Sequence, residues 1–472
     1  MVTQSYQPAA PMRLRDRVLR AGSWTLFGYG SDLFFRLLSN LILTRLLFPE
    51  AFGAVSAATA LITGLNLISD LGVAQVIIQS PRGDQVGFLR SAWVFLVSRS
   101  ILLWLAIVAC CALMGLSAVR DVFPADSIYA NQSFALVTAS LGFSMVLVGS
   151  ESTCTFLSIR RLNYKPVVMI AFISRIISLP IIIAWAWIAP SVWALVGGSL
   201  AGGFLRLVMS HTLIPGPSMR PTWEKEHFKE IVGTGKWFTV SSLGTFLSQQ
   251  GEVIFLGILV PGSVLGLYSV AKLLVGAGEN LLDRINNSLT LPTLSEVFRK
   301  SPGKLRDSYY RFRLPIELTA GFLSGFLLVA GDFLVNFLYD ARYAQAGTML
   351  PILALGTAIY PFLIVRTVFA ATAETHVFAA ISIVQAVSLL ASVAIGFFTF
   401  GLLGAVGGIA FHRLLPSAVT VVLAYRRNWI AFGRELGIIP AFIAGLIAGK
   451  GSVLFASAVG LTNIHQLFHF HP

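Results

Sequence analysis

The sequence predicts an all-α integral membrane protein, and three observations carry that reading. Of 472 residues, 56% are hydrophobic and only 12% are charged, whereas soluble domains carry about 25% charge. Mean hydropathy is +0.79. Apolar stretches of about 20 residues, the length that crosses a hydrocarbon core of about 30 Å, recur along the chain with short polar breaks.

The segment 1–22 is polar and basic, and the apolar run after it is too long for the core of a signal peptide, so it reads as a retained cytoplasmic N-terminus. Spans are expected at about 23–45, 52–79, 92–116, 131–157, 166–188 and 192–214. A second set is expected at about 232–259, 264–290, 314–338, 347–371, 376–398 and 402–424. A thirteenth apolar stretch, 436–461, is interrupted by Gly449, Lys450 and Gly451. It fits a full span, a re-entrant hairpin or an interfacial pair.

Between the two sets, 215–231 carries Pro215, Pro217, Pro221 and a mixed charge cluster, Glu224, Lys225, Glu226, Lys229 and Glu230. The expected organisation is therefore an N-terminal six-helix bundle at 23–214, a cytoplasmic linker at 215–231, a C-terminal six-helix bundle at 232–424 and an extension at 425–472 with an uncertain membrane segment. The extracytoplasmic loops are short, which leaves no room for a catalytic domain outside the bilayer.

The net charge of +13 does not point to nucleic acid, because the basic residues form no single patch or aromatic-interleaved stripe. They mark loops instead. With the N-terminus in the cytoplasm, 21 of the 34 Lys and Arg fall on cytoplasmic loops against three, Arg45, Arg120 and Arg342, on the other side. An error of one span would scramble that alternation. The protein is accordingly expected in a bacterial inner membrane as a multi-pass chain.

The remaining ten basic residues lie inside expected spans: Arg36, Arg99, Arg175, Arg206, Lys236, Lys272, Arg284, Arg366, Arg413 and Lys450. A charge at mid-bilayer costs about 2.5–3.5 kcal/mol even on the lenient insertion scale, so it faces a bundle interior or a wet cavity, or finds a partner. Lys236, Lys272 and the acid Glu317 sit near span ends, where snorkelling accounts for them. Asp32 and Arg36, spaced i, i+4, are expected to pair on one helix. Arg36, Arg99, Arg175, Arg206, Arg284, Arg366 and Arg413 are the expected cavity cations, since guanidinium stays charged and grips phosphate oxygens in a two-pronged way. Asp70 and Glu252 are the acids at which coupling to a proton or sodium ion would be expected, if transport is ion-driven.

No Walker-type phosphate loop, paired catalytic carboxylates or metal-ligand spacing stands out, and the two terminal histidines, His469 and His471, read as a polar tail. Cys110, Cys111 and Cys154 lie in apolar segments and read as packing residues. No enzyme activity, cofactor or metal is expected.

The first two spans contain Leu43-Thr44-Arg45-Leu46-Leu47-Phe48-Pro49-Glu50-Ala51-Phe52-Gly53, then Ser69-Asp70-Leu71-Gly72 and Ile77-Ile78-Gln79. This resembles the polysaccharide flippase family, the Wzx-type O-antigen and exopolysaccharide translocases. Leu265-Gly266-Leu267-Tyr268-Ser269-Val270-Ala271-Lys272, Leu291-Pro292-Thr293-Leu294-Ser295 and Arg160-Arg161-Leu162-Asn163-Tyr164 agree with it, over roughly 13–425. Span seven departs from it, with Gly251-Glu252-Val253 and Gly257-Ile258 where such proteins often carry Asp-Asn and an Arg after the Gly.

The resemblance implies the fold of the multidrug, oligosaccharidyl-lipid and polysaccharide exporters: two six-helix transmembrane bundles around a central cavity. It implies an undecaprenyl-diphosphate-linked oligosaccharide as substrate, with membrane lipids and polymerase or export proteins as partners. The alternative cargo on the same fold is a small cationic compound exported against an ion gradient. Read without the family, Pro49 should stop the first helix and Gly53 should permit the reversal into the second.

Overall fold

The computed structural model describes residues 14–114, 122–124, 127–286, 290–372, 374–431, 434 and 437–459. Arg13, Arg120, His469 and His471 lie outside them, as does the side chain of Lys236. The described chain is helical with no strand. The helices are α1 Leu14–Leu46, α2 Pro49–Ile68, α3 Val73–Gln79, α4 Val86–Met114, α5 Gln132–Gly149, α6 Cys154–Arg160, α7 Lys165–Ile188, α8 Val192–Thr212 and α9 Lys225–Leu259. They continue as α10 Gly262–Ile285, α11 Leu291–Lys300, α12 Leu305–Leu338, α13 Ala344–Leu363, α14 Arg366–Ala371, α15 Thr375–Phe411, α16 Leu414–Arg426 and α17 Ile438–Ala458.

Among the described residues, eight helical segments are long and apolar enough to cross a membrane, and nine when α5 and α6, bent by 59° at their junction, count as one broken span. One of the eight, Ala380–Arg426, is 47 residues long and covers the expected eleventh and twelfth spans. The division falls at Gly401, whose φ of 65° and ψ of −145° are open to glycine but not to L side chains. The expected first, seventh and eighth spans are α1, α9 and α10, helices of 33, 35 and 24 residues. Their intramembrane charges keep them below the apolarity of the rest.

The chain divides into two compact units. The first comprises 1–39, 69–110 and 139–239; the second comprises 40–68, 111–138 and 240–472. In the first, α7 packs along α8 and the short α3 packs on α6. Val73, Val76 and Ile77 of α3 bury against Phe88, Leu89, Ala92 and Leu157.

In the second unit α2 crosses α10 at backbone contact. A β-carbon on Gly53 would collide with the Gly262 carbonyl oxygen, and one on Gly266 with the Pro49 carbonyl oxygen. Gly53 thus lies inside α2 rather than in the reversal, which is made by Leu47 and Phe48 with Pro49 as the first helical residue. Small residues serve the interface because lipid tails supply no hydrophobic drive between helices, so association depends on close packing.

The thirteenth stretch is a single helix. α17 runs unbroken through Gly449, Lys450 and Gly451, and it packs along α12. Gly321 and Gly325 of α12 face Ile438, Ala441, Phe442 and Leu446, while Gly445 and Gly449 of α17 face Phe322 and Phe326. Lys450 points away from that seam and is exposed. Tyr310 of α12 holds the segment that precedes α17, donating to the Ala431 carbonyl at 3.0 Å and accepting from the Ala431 N–H at 2.8 Å.

Candidate functional site

The charged side chains inside the spans form the candidate site, and each unit holds its own set. The expected second span is interrupted between α2 and α3. Gly72 takes a left-handed φ of 61°, and its N–H donates to Asp70 Oδ1 at 2.9 Å. Ser69 Oγ accepts from Arg99 Nη2 at 2.9 Å and from Nε at 3.3 Å. Asp70 and Arg99 are close enough for their charges to interact. Asp70 therefore organises a helix break, besides being a candidate for ion coupling.

Asp32 does not pair with Arg36. Its Oδ1 lies 3.2 Å from Arg175 Nη2 of α7, because the two helices present these groups to each other. Arg36 keeps a buried Nε with no hydrogen-bond partner. Arg206 of α8 meets Glu151 at 3.2 Å, and Glu151 stands in the break between α5 and α6.

In the second unit, four charges from three elements converge. Glu252 of α9 lies 2.9 Å from Lys272 Nζ of α10, and Lys272 is also 3.9 Å from Glu279. Arg413, at the start of α16, grips Glu279 with both prongs, Nη1 to Oε1 at 2.6 Å and Nη2 to Oε2 at 3.1 Å. Thr357 of α13 donates to the same carboxylate at 3.4 Å. The group borders a small cleft lined by Lys272, Val275, Glu279, Leu353, Ile409 and Arg413. Lys272 is thus no snorkelling residue; it bridges two acids. One turn further along α10, Asp283 accepts from Tyr360 OH. Arg366 donates to Gln385 Oε1 at 3.0 Å and lies over the Phe378 ring. Arg284 is exposed near the C-terminal end of α10.

The structure brings Arg413 together with Glu252 in one network. It pairs Arg175 and Arg206 separately with acids of the first unit, and places Arg99 near Asp70 and Arg366 near Asp283. Sequence reasoning missed one pair. Arg313, expected in a cytoplasmic loop, is fully buried in α12, 3.4 Å from Glu317 Oε2, under Phe362 and hydrogen-bonded to Tyr309 OH at 3.0 Å. Glu317 is likewise 3% exposed and does not snorkel; it accepts the Ile438 N–H at the start of α17. The i, i+4 spacing of opposite charges was the available signal.

Comparison with known proteins adds the family. A sequence model described as "Polysaccharide biosynthesis protein" matches residues 42–348, about two-thirds of the chain. The chain belongs to this polysaccharide biosynthesis protein family. No curated protein matches the sequence. Among solved structures, this family member is similar to an inward-facing multidrug resistance MATE transporter of the MOP superfamily, with TM-score 0.66 and 13% identity over 84% of this chain and 94% of that one. It is also similar to the lipid II flippase MurJ in an inward closed conformation, with TM-score 0.59 and 11% identity over 93% and 99%. A MOP superfamily transporter from Pyrococcus furiosus matches with TM-score 0.54 and 12% identity over 87% and 95%. At these identities the likeness establishes a shared transporter fold. The two-bundle membrane architecture expected from the sequence is that fold.

Proposed function

We propose that this family member is a flippase that moves undecaprenyl-diphosphate-linked oligosaccharide repeat units across the bacterial inner membrane for exopolysaccharide, capsule or O-antigen assembly. The observation that carries the reading is the coincidence of a polysaccharide biosynthesis family match with an exporter fold. The chemistry of the spans supports it. Ten Lys and Arg against eight Asp and Glu within the expected spans favour an anionic cargo, and guanidinium groups suit a diphosphate. Export of a small cation on the same fold would call for uncompensated acids, whereas Glu252 is held by Lys272.

In this reading 23–214 and 232–424 are the moving halves, 215–231 links them on the cytoplasmic side, and the sugar head passes along polar groups while the lipid tail stays in the bilayer. Arg99, Arg175, Arg206, Arg284, Arg366 and Arg413, with Arg36, handle the diphosphate. The chain acts with the polymerase and export proteins of the same assembly line and carries out transport without bond-making chemistry. The charge alternation of the loops supports a cytoplasmic N-terminus; labelling of a Ser5→Cys variant by an impermeant thiol reagent in intact cells would refute that orientation.

The decisive measurement is translocation of a fluorescent undecaprenyl-diphosphate oligosaccharide in vesicles containing the purified protein. Loss of inner-leaflet fluorophore to an external quencher, absent from empty vesicles, is expected. Equal rates with and without protein would defeat the assignment.

A further inference from the structure

The junction of α5 and α6 is an interrupted helix inside an expected span, and its freed backbone groups must be satisfied without water. The Ser150 carbonyl oxygen accepts from Trp93 Nε1 at 3.0 Å and lies 2.9 Å from His211 Nε2. A carbonyl can only accept, so His211 carries its proton on Nε2. The Ser152 N–H donates to Ser210 Oγ at 3.0 Å. Side chains of α4 and α8 thus hold the break open in a defined shape.

Glu151 stands in that break. Its side chain is 13% exposed, whereas that of its partner Arg206 is 46% exposed. Arg206 Nη2 is 3.2 Å from Oε1 and 3.3 Å from Oε2, and the buried Oε1 has no hydrogen bond of good geometry. The titratable or charged groups of α8 facing Glu151 are Arg206 and His211; α4 presents Trp93 and Ser100 to the break, neither of which titrates. The acid is enclosed, and its counter-charge is half-exposed.

We infer that Glu151 is a proton-binding site that exchanges Arg206 with the phosphate groups of the cargo. The inference rests on the flippase reading above. When a diphosphate arrives, the Arg206 guanidinium leaves the carboxylate for a phosphate oxygen and remains charged. Glu151 would then be a buried carboxylate without a counter-ion, an unfavourable state, and it takes one proton from solution to become a neutral acid. On release of the diphosphate, Arg206 returns, the proton leaves and the ion pair re-forms. Cargo binding and proton uptake are thereby linked at one residue.

The test uses the purified full chain in detergent with undecaprenyl diphosphate as probe. Binding isotherms are measured by calorimetry in buffers of different ionisation enthalpy, which report protons taken up per ligand bound. Wild type and Glu151→Asp are expected to take up more protons than Glu151→Gln by about one per bound ligand, and Glu151→Gln, with Arg206 already released, is expected to bind at least as tightly. Equal proton uptake in wild type and Glu151→Gln overturns the proton site while leaving the flippase reading intact. If undecaprenyl diphosphate does not bind the wild type, the flippase reading fails and the proton site fails with it.

Discussion

Replacing Arg313 by alanine is expected to destabilise the protein more than any other single change to a charged residue. Arg313 is fully buried, and its removal leaves Glu317 at 3% exposure beside no cation. Breaking a buried pair from one side costs about 3–5 kcal/mol, because the remaining charge keeps its desolvation penalty and loses its attraction. The double variant Arg313→Met with Glu317→Leu should recover most of that loss, since both desolvated charges go together. A residual deficit of about 1 kcal/mol is expected, because Glu317 also accepts the Ile438 N–H and so caps α17. Thermal unfolding of the two variants in detergent reads both effects. A double variant as unstable as Arg313→Ala would show that shape around Phe362 and Tyr309, rather than charge, decides the site.

Arg413→Ala is expected to have the largest effect on transport at normal protein level. Arg413 is held by two short prongs to one carboxylate at the edge of a cleft. Loss of a charge-assisted pair of this kind costs about 1.5–3 kcal/mol, or roughly tenfold to a hundredfold in rate where the group acts on the cargo. Glu279 would remain beside Lys272 and Thr357, so the fold should survive. Arg413→Lys keeps the charge but loses the fork, and should restore only part of the activity. Polymer export in cells and flipping in vesicles measure the same quantity. Wild-type rates for Arg413→Ala in both would remove this cluster from the transport path.

The pairing pattern gives the intramembrane arginines a different character from that of bare cations. Arg175, Arg206 and Arg413 each hold a resident carboxylate, from Asp32, Glu151 and Glu279 respectively. In the proposed flippase a phosphate would have to compete with an acid already in place, so that binding would be an exchange of partners rather than capture by a vacant charge. Such exchange keeps each state nearly neutral, which a low-dielectric medium requires.

The apolar spans and their order were legible from composition and local pattern alone, because a bilayer imposes length and apolarity on each segment separately. The same holds for Pro49, whose effect acts on the residues beside it. Partner choice was not legible in the same way. Asp32 met Arg175 instead of Arg36, Lys272 bridged Glu252 and Glu279 instead of snorkelling, and α17 closed on α12 through glycines far apart in the chain. Each depends on which helix faces are brought together. Spacing along one helix names the pairs that a single turn allows, but the energy of a buried charge is decided by whatever lies across the interface, and only the tertiary structure supplies that.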